Sequence, residues 1–347
     1  MTTPIGSVSE REQASPAAAA SSAKPSQDTR RPPVRAWLQP TLIALIVVAA
    51  FIGCYIGLQR DPQPRQVPIA VTGPDLAGEI RQALGNTVEV HVAADAEAAR
   101  HALEHHDVVA ALSADSQNHL RLETAGAAGS STTSAVNHLV DAYARGAGMQ
   151  VTAEDMVPLT KFDARGLAGF YMAFGVTLAG FVLGSNVLGL AGTMRLRHRF
   201  WLLIGASVAI GTVAAVIAGP ALGAVPAPVV PLIFTLALLA AAAAFTTTLL
   251  GTFLGPIGLP VTTLLLLTVG NATSGAVIGA DLLPSGARAV SALLPPGAAV
   301  RAIADLSYYD GTHLTAPLIT LTLWAAIAAI LLGLRPRLMQ RRTTSSS

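Results

Sequence analysis

The chain has 347 residues, of which 52% are hydrophobic and only 12% charged, and its mean hydropathy is +0.54. Soluble domains carry about 25% charged residues, so this composition excludes an ordinary soluble protein and points to a membrane. One cysteine, Cys54, excludes an intrachain disulfide and a cysteine metal site; the net charge of +2 is uninformative as a total, and no nucleic-acid partner is expected.

Residues 1–35 mix Ser, Thr, Pro, Ala and charges without periodicity and are expected to form a disordered N-terminus. Arg30, Arg31 and Arg35 lead into a charge-free run, the first span at 36–58. Its apolar core is longer than the 7–15 residues of a signal peptide, and LQRDPQPRQ offers no small-residue cleavage site, so it reads as a retained anchor. Pro40 is expected in the first turn of that helix.

Residues 59–165 change character. Fourteen acidic residues face eight basic ones, and six of the eight histidines lie here. Strands are expected at 67–71, 87–92, 108–112, 119–123 and 149–157, with helices at 75–84, 95–106 and 133–145, and AGAAGSS at 125–131 reads as a loop. Strands separated by helices of this length predict a small α/β domain.

Five further spans are expected at about 167–192, 200–218, 229–250, 259–280 and 314–334. RLRHR at 195–199 reads as a short basic loop and GTFLGPIG as a neutral turn. Gly180 and Gly184, like Gly275 and Gly279, have the small-xxx-small spacing of helix packing. The fold class is therefore an α-helical integral membrane protein with six transmembrane helices (1+5), an extracytoplasmic α/β domain between spans 1 and 2, and a non-spanning segment between spans 5 and 6. Arg30, Arg31, Arg35, Arg195, Arg197, Arg199, Arg335, Arg337, Arg341 and Arg342 all fall on one side if both termini, including the basic tail at 335–347, are cytoplasmic. That orientation puts the acidic domain and the segment 281–313 outside, in a multi-pass protein of a bacterial cytoplasmic membrane.

Segment 281–313 divides at Pro295–Pro296 into two pieces of about ten residues, each too short to cross about 30 Å of hydrocarbon. Their apolar residues fall on one side, which predicts two re-entrant or interfacial amphipathic helices. Arg301 and Asp305, one turn apart, have the spacing of a local ion pair, and Tyr308 and Tyr309 are expected at headgroup level.

Chemistry-bearing motifs are absent. The chain contains no G-x-x-x-x-G-K-[ST], HExxH, G-x-S-x-G or strand-linked G-x-G-x-x-G. The expected spans carry no Asp, Glu, His, Lys or Arg, which argues against ion-coupled transport and against an intramembrane aspartyl protease. No enzyme is expected: Ser113, Asp115, Ser116 and His119 are close in sequence without a nucleophile–base arrangement. His101 and His105 are i,i+4 with Glu97 one turn earlier, a face that suits zinc or copper; a solvated helix face explains the same spacing, and no metal site is assigned.

The segment GNATSGAVIGADLLPSGARAVSALLPPGAAVRAIADLSYYDG, together with the 1+5 topology and the large loop after the first span, resembles the ABC-2 type membrane permeases. More narrowly it is similar to their YhgE/Pip-like (phage infection protein) branch of Gram-positive and actinobacterial genomes. The resemblance rests on Gly270, Asn271, Gly275, Leu283, Pro284, Leu294, Pro295, Gly297, Arg301, Tyr309 and Gly311 and covers roughly residues 37–334. It implies a homodimer or heterodimer in the membrane, driven by a separate cytoplasmic ATP-binding cassette subunit and exporting polysaccharides, lipids, drugs or peptides. No cofactor would be bound by this chain itself. The resemblance implies an outer gate at Asn271, Pro284, Pro295, Gly297, Arg301, Asp305 and Tyr309, and a cytoplasmic contact at Arg195, Arg197 and Arg199. The chain departs from the pattern in its proline-broken segment before the first span and its short inner loops. The alternative is a non-transporting anchor that presents the α/β domain outward for envelope organisation, secretion or surface recognition.

Overall fold

The computed structural model describes residues 34–344 apart from Gln117, and side chains from 38 to 334 apart from Ser116 and Gln117. Of the N-terminus expected to be disordered, residues 1–33, with Arg30 and Arg31, lie outside the described residues, as do the side chains of Arg35 and of the basic tail, while Val34 and Arg35 already belong to a helix.

Helix α1, Val34–Gln59, starts early enough that Pro40 falls in its second turn rather than its first. The α/β domain follows. Strands β1 (Val67–Thr72), β2 (Val88–Ala93), β3 (Ala110–Ser116), β4 (His119–Thr124) and β5 (Gln150–Asp155) form one sheet in the order β2-β1-β3-β4-β5. All neighbouring pairs are parallel except β3 and β4, which are antiparallel. The parallel pairs use helical crossovers, as they must: α2 (Pro74–Leu84) and α3 (Ala96–Glu104) flank β2, and α4 (Ser130–Ala147) precedes β5.

Alternation of side chains along the strands fills two cores. On one face Val67, Ile69, Val71, Leu112, Leu120 and Leu122 pack with Ile80 of α2 and Val136 and Val140 of α4. On the other, Ala70 and Ala111 meet Ala99 and Leu103 of α3. Beside them a charged network covers this second face: Glu123, 5% exposed, takes Arg100 of α3 at 2.5 Å and Arg121 at 3.1 Å. Burying a carboxylate is tolerable only when it is paired in this way.

Among the described residues, five helical stretches are long and apolar enough to cross a membrane: Leu38–Gln59, Ala168–Gly192, Leu196–Ala221, Val229–Gly270 and Thr315–Leu334. They contain α5 (Ala168–Gly189), α6 (Leu196–Val216), α7 (Val229–Leu254), the short α8 (Gly258–Thr262) and the membrane part of α11 (Thr315–Thr344). Val229–Gly270 is 42 residues long, which at 1.5 Å per residue is about twice the hydrocarbon thickness. It holds two legs. Gly255, at φ 60°, ends α7, and Gly258 packs back against Leu250 and Gly251.

The outgoing leg α7 is the centre of the membrane block, in contact with α5, α6, α10 (Pro295–Tyr308) and α11. Its close approach to α5 needs glycine: a Cβ on Gly180 would lie 2.7 Å from the Ala240 carbonyl oxygen, and one on Gly184 2.7 Å from Cβ of Thr247. The Gly180/Gly184 spacing therefore serves helix packing.

Two expectations need correction here. RLRHR is not a loop: α6 begins at Leu196, so Arg197 and Arg199 already belong to its first turn, and Arg199 is buried while Arg195 and Arg197 are exposed. The returning leg is not a helix to residue 280. It passes from α8 into a π-helical stretch, Thr263–Gly270, and stops being helical after Ala272. The reason is local composition. Asn271, Thr273, Ser274 and Gly275 supply side chains that compete for backbone partners and a glycine at φ 82°.

Candidate functional site

The end of the returning leg, the hairpin that follows it and the α/β domain meet in one place. Where the helix stops, its freed carbonyls are taken by side chains: Asn271 Nδ2 donates to Leu266 O at 2.9 Å, Thr273 Oγ1 to Val269 O at 2.8 Å and Ser274 Oγ to Asn271 O at 2.8 Å. All three side chains are buried, Asn271 at 1% exposure, and its Oδ1 has no protein partner among the described residues. Non-helical backbone at this depth is tolerated because protein, not lipid, surrounds it.

Pro284 caps α9 (Ser285–Leu293), Leu294 turns the chain, and Pro295 opens α10; the two helices are bent by 84°. Proline fits a first helical turn, where its missing N–H is not needed. Gly297 lies directly on Ser291, leaving no room for a side chain. Arg301 closes the hairpin. Its guanidinium donates to Ser291 Oγ at 3.2 Å and to the Ser291 and Ala292 carbonyls at 3.4 Å, capping the negative end of α9. From α11, Trp324 Nε1 donates to Leu293 O at 2.8 Å.

The expected Arg301–Asp305 ion pair does not form, because Arg301 is spent on those carbonyls. Asp305 instead points the other way, 3% exposed, and its Oδ2 accepts from the His313 backbone N–H at 3.0 Å. Burial pushes its carboxyl above the usual range, against the pull of that hydrogen bond. Nor do α9 and α10 lie together at the surface. Most of α10 is core, with Ala298, Ala299 and Ile303 packed on Leu232 and Leu236 of α7, while α9 is largely exposed.

The domain is tied to this hairpin at three points. At the first, the linker after α1 binds the start of the hairpin: Arg65 N donates to Asp281 O at 3.0 Å and Arg65 Nη1 to Leu282 O at 3.1 Å. Arg288 returns a bond to Arg65 O at 2.8 Å and stands 3.6 Å from Asp281. At the second, Ser131 Oγ donates to Val277 O at 3.4 Å and Thr132 packs on Gly279. At the third, the turn after α3 meets the turn after α10. The His106 ring lies flat on Tyr309, centroids 4.1 Å apart and planes within 3°. His313 Nε2 donates to His105 O at 3.0 Å and sits 3.3 Å from Asp107.

Tyr309 is therefore not a headgroup-level residue. It is 2% exposed beneath His106, and burial raises its phenol. His106, expected as the last residue of the helix at 95–106, lies beyond the end of α3 at φ 63° and packs on the hairpin instead. Burial, helped by nearby His313 and opposed by Asp107, lowers its imidazole to about 4, so it is neutral at pH 7.

The weak metal candidates gain no support. His101 and His105 stack at 3.9 Å, but Nδ1 of His105 is engaged with His101 O at 2.9 Å, and among the described residues no group of three His, Cys, Asp or Glu side chains is placed to hold a metal. Ser113, Asp115 and His119 lie on β3 and β4, where His119 faces Asp115 at 3.8 Å and Thr152 at 3.0 Å. What sequence reading missed is the third tie. Nothing in the sequence marks it, since His313 and its partners Asp107 and His105 are more than 200 positions apart.

Comparisons with models of known protein families, with curated proteins and with solved structures gave no match.

Proposed function

We propose that the chain, a multi-pass membrane protein with an extramembrane α/β domain, is the membrane subunit of an ABC-2 type exporter of the YhgE/Pip-like kind. In this reading it sits in a bacterial cytoplasmic membrane with both termini inside and is powered by a separate cytoplasmic ATPase. One observation carries this: the returning leg breaks at Asn271 inside the protein, and the bent α9–α10 hairpin fills the space between the break and the domain side. A broken span beneath a re-entrant cap is what an outer gate requires, and a simple anchor has no use for it. Asn271, Pro284, Pro295, Gly297 and Arg301 build that cap, and Asp305 and Tyr309 join it to the domain.

Because α7 is packed on α5, α6, α10 and α11, the path in this proposal runs between two copies rather than through one. The opposite end of the block supplies a surface for an ATPase: exposed Arg195 and Arg197, and at the α7–α8 turn exposed Phe253, Leu254 and Ile257. Arg199, being buried, drops out of that contact. The same tight packing of α7 favours the second reading, an anchor that holds the α/β domain against the membrane.

The test is purification of the full chain from its native membrane in mild detergent, with ATPase activity measured on the eluate. The permease reading expects a copurifying ATPase that is lost in an Arg195→Glu/Arg197→Glu/Ile257→Asp variant. A folded chain that recruits no ATPase in either form would leave the anchor reading standing.

A further inference from the structure

A large groove on the membrane block lies between α5 and α6, next to the α/β domain. Its volume of about 670 Å³ falls within the range of small-molecule sites, roughly 300–1,000 Å³. Its walls are apolar, with Tyr171, Gly175 and Ala179 from α5 and Ile210, Val213 and Ala214 from α6. A Cβ on Gly175 would meet nothing within 4 Å, so the glycine holds space open rather than permitting a helix contact.

At the domain end the groove is bounded by Ala168, Leu222 and Ala224, and a loop, residues 160–166, lies against them. Thr160 Oγ1 donates to Ala224 O at 3.2 Å, and Phe162 packs on Gly223. The Asp163 carboxylate caps α5 through the Leu167 and Ala168 N–H groups at 2.9 and 3.1 Å, so its charge is answered by the helix terminus. The loop carries two exposed cations, Lys161 and Arg165. Lys161 Nζ stands 4.8 Å over the Phe162 ring, and neither cation forms an ion pair among the described residues. By contrast, Arg65, Arg288 and Arg301 are all engaged at the hairpin. The position of the loop, one residue before α5 begins, is headgroup depth, and Phe162 and Tyr171, each 64% exposed, are the aromatic residues expected there.

We propose that the groove and the loop together bind an anionic phospholipid from the leaflet on the domain side. One acyl chain lies between α5 and α6, and the phosphate is met by Lys161 and Arg165. Replacing one lipid tail by another in the groove confers no selectivity, because both are equally apolar. Discrimination comes from the two cations, whose attraction for an anionic headgroup corresponds to about tenfold or more over a zwitterionic one. The site does not depend on whether the chain transports anything.

Native mass spectrometry of the delipidated full chain in detergent, titrated with phosphatidylglycerol or phosphatidylcholine, tests this. The expected result is one phosphatidylglycerol retained per chain at about a tenth of the concentration that phosphatidylcholine needs. Lys161→Gln/Arg165→Gln should erase that preference. Ala179→Phe, which fills the groove, should release both lipids while the melting temperature and gel-filtration profile stay those of the parent. Equal retention of the two lipids, or a preference that survives the double substitution, would overturn the proposal. So would disulfide-linked dimers of a Cys54→Ser/Val213→Cys variant in native membranes, since a second copy would then occupy the groove.

Discussion

The interior of the membrane block and its junction with the α/β domain are held by different physics. Around α7 the contacts are between small apolar residues and backbone, and threonines such as Thr177 and Thr247 turn their hydroxyls onto their own helices. At the junction the partners are arginines, histidines, aspartates and a buried tyrosine. Dispersion and shape hold the first region and are indifferent to pH and salt. Charge, hydrogen bonding and burial of titratable groups hold the second, so of the two it is the one that can respond to pH and salt.

The largest effect should come from breaking the first region. Gly180→Leu or Gly184→Leu forces α5 away from α7 and should cost about 3 kcal/mol, read as a sharp fall in the thermal midpoint of the detergent-solubilised chain. The junction should keep its pH response in whatever fraction remains folded.

Acid should loosen the junction and spare the block. His106 has a folded pKa of about 4, below its unfolded 6.5, so its contribution is complete above pH 6.5 and is lost as pH falls through that interval. The shift corresponds to about 3 kcal/mol. Asp281 and Asp305 are raised by burial and act in the opposite sense, their penalty being relieved as they protonate. Hydrogen exchange of segments 105–107 and 309–313 should accelerate between pH 6.5 and 4, with α5 and α7 unchanged. His106→Phe keeps the ring stack and should flatten the response; an unaltered response in that variant would assign it to other groups.

The smallest effect belongs to Trp324→Phe. Loss of the indole bond to Leu293 O should cost about 1 kcal/mol and make α9 exchange faster without altering either α7 or the domain.

These contrasts explain what could be read from the sequence. The strands and helices of the domain were legible because each is a local pattern bounded by turn residues, and the spans because hydropathy is additive along a window. The junction was not, since His106–Tyr309 and Asp107–His313 join residues about 200 positions apart, and nothing in one segment specifies the other. Arg301 and Asp305 misled for a related reason. Their i,i+4 spacing permits a pair, but Ser291 and His313 offer each a better partner once the hairpin has closed. The break at Asn271 left a readable trace in the run Asn-Ala-Thr-Ser-Gly, which the strong hydropathy upstream concealed.

None of the apolar window of α1 is fully buried, so lipid covers most of it, and that sets an order of assembly. Emerging first, α1 can insert with no other element in place. The α/β domain completes its sheet at Asp155, whereas the first hairpin residue it binds through a side chain, Val277, comes 122 positions later (277 − 155). At about 5–20 residues per second, that is an interval of roughly 6–24 s. Throughout it the domain must stand on its own two cores, held to the membrane by α1 and, once residues 168–189 are made, by α5. Docking onto the hairpin is then a late step that a finished domain makes with a finished membrane block.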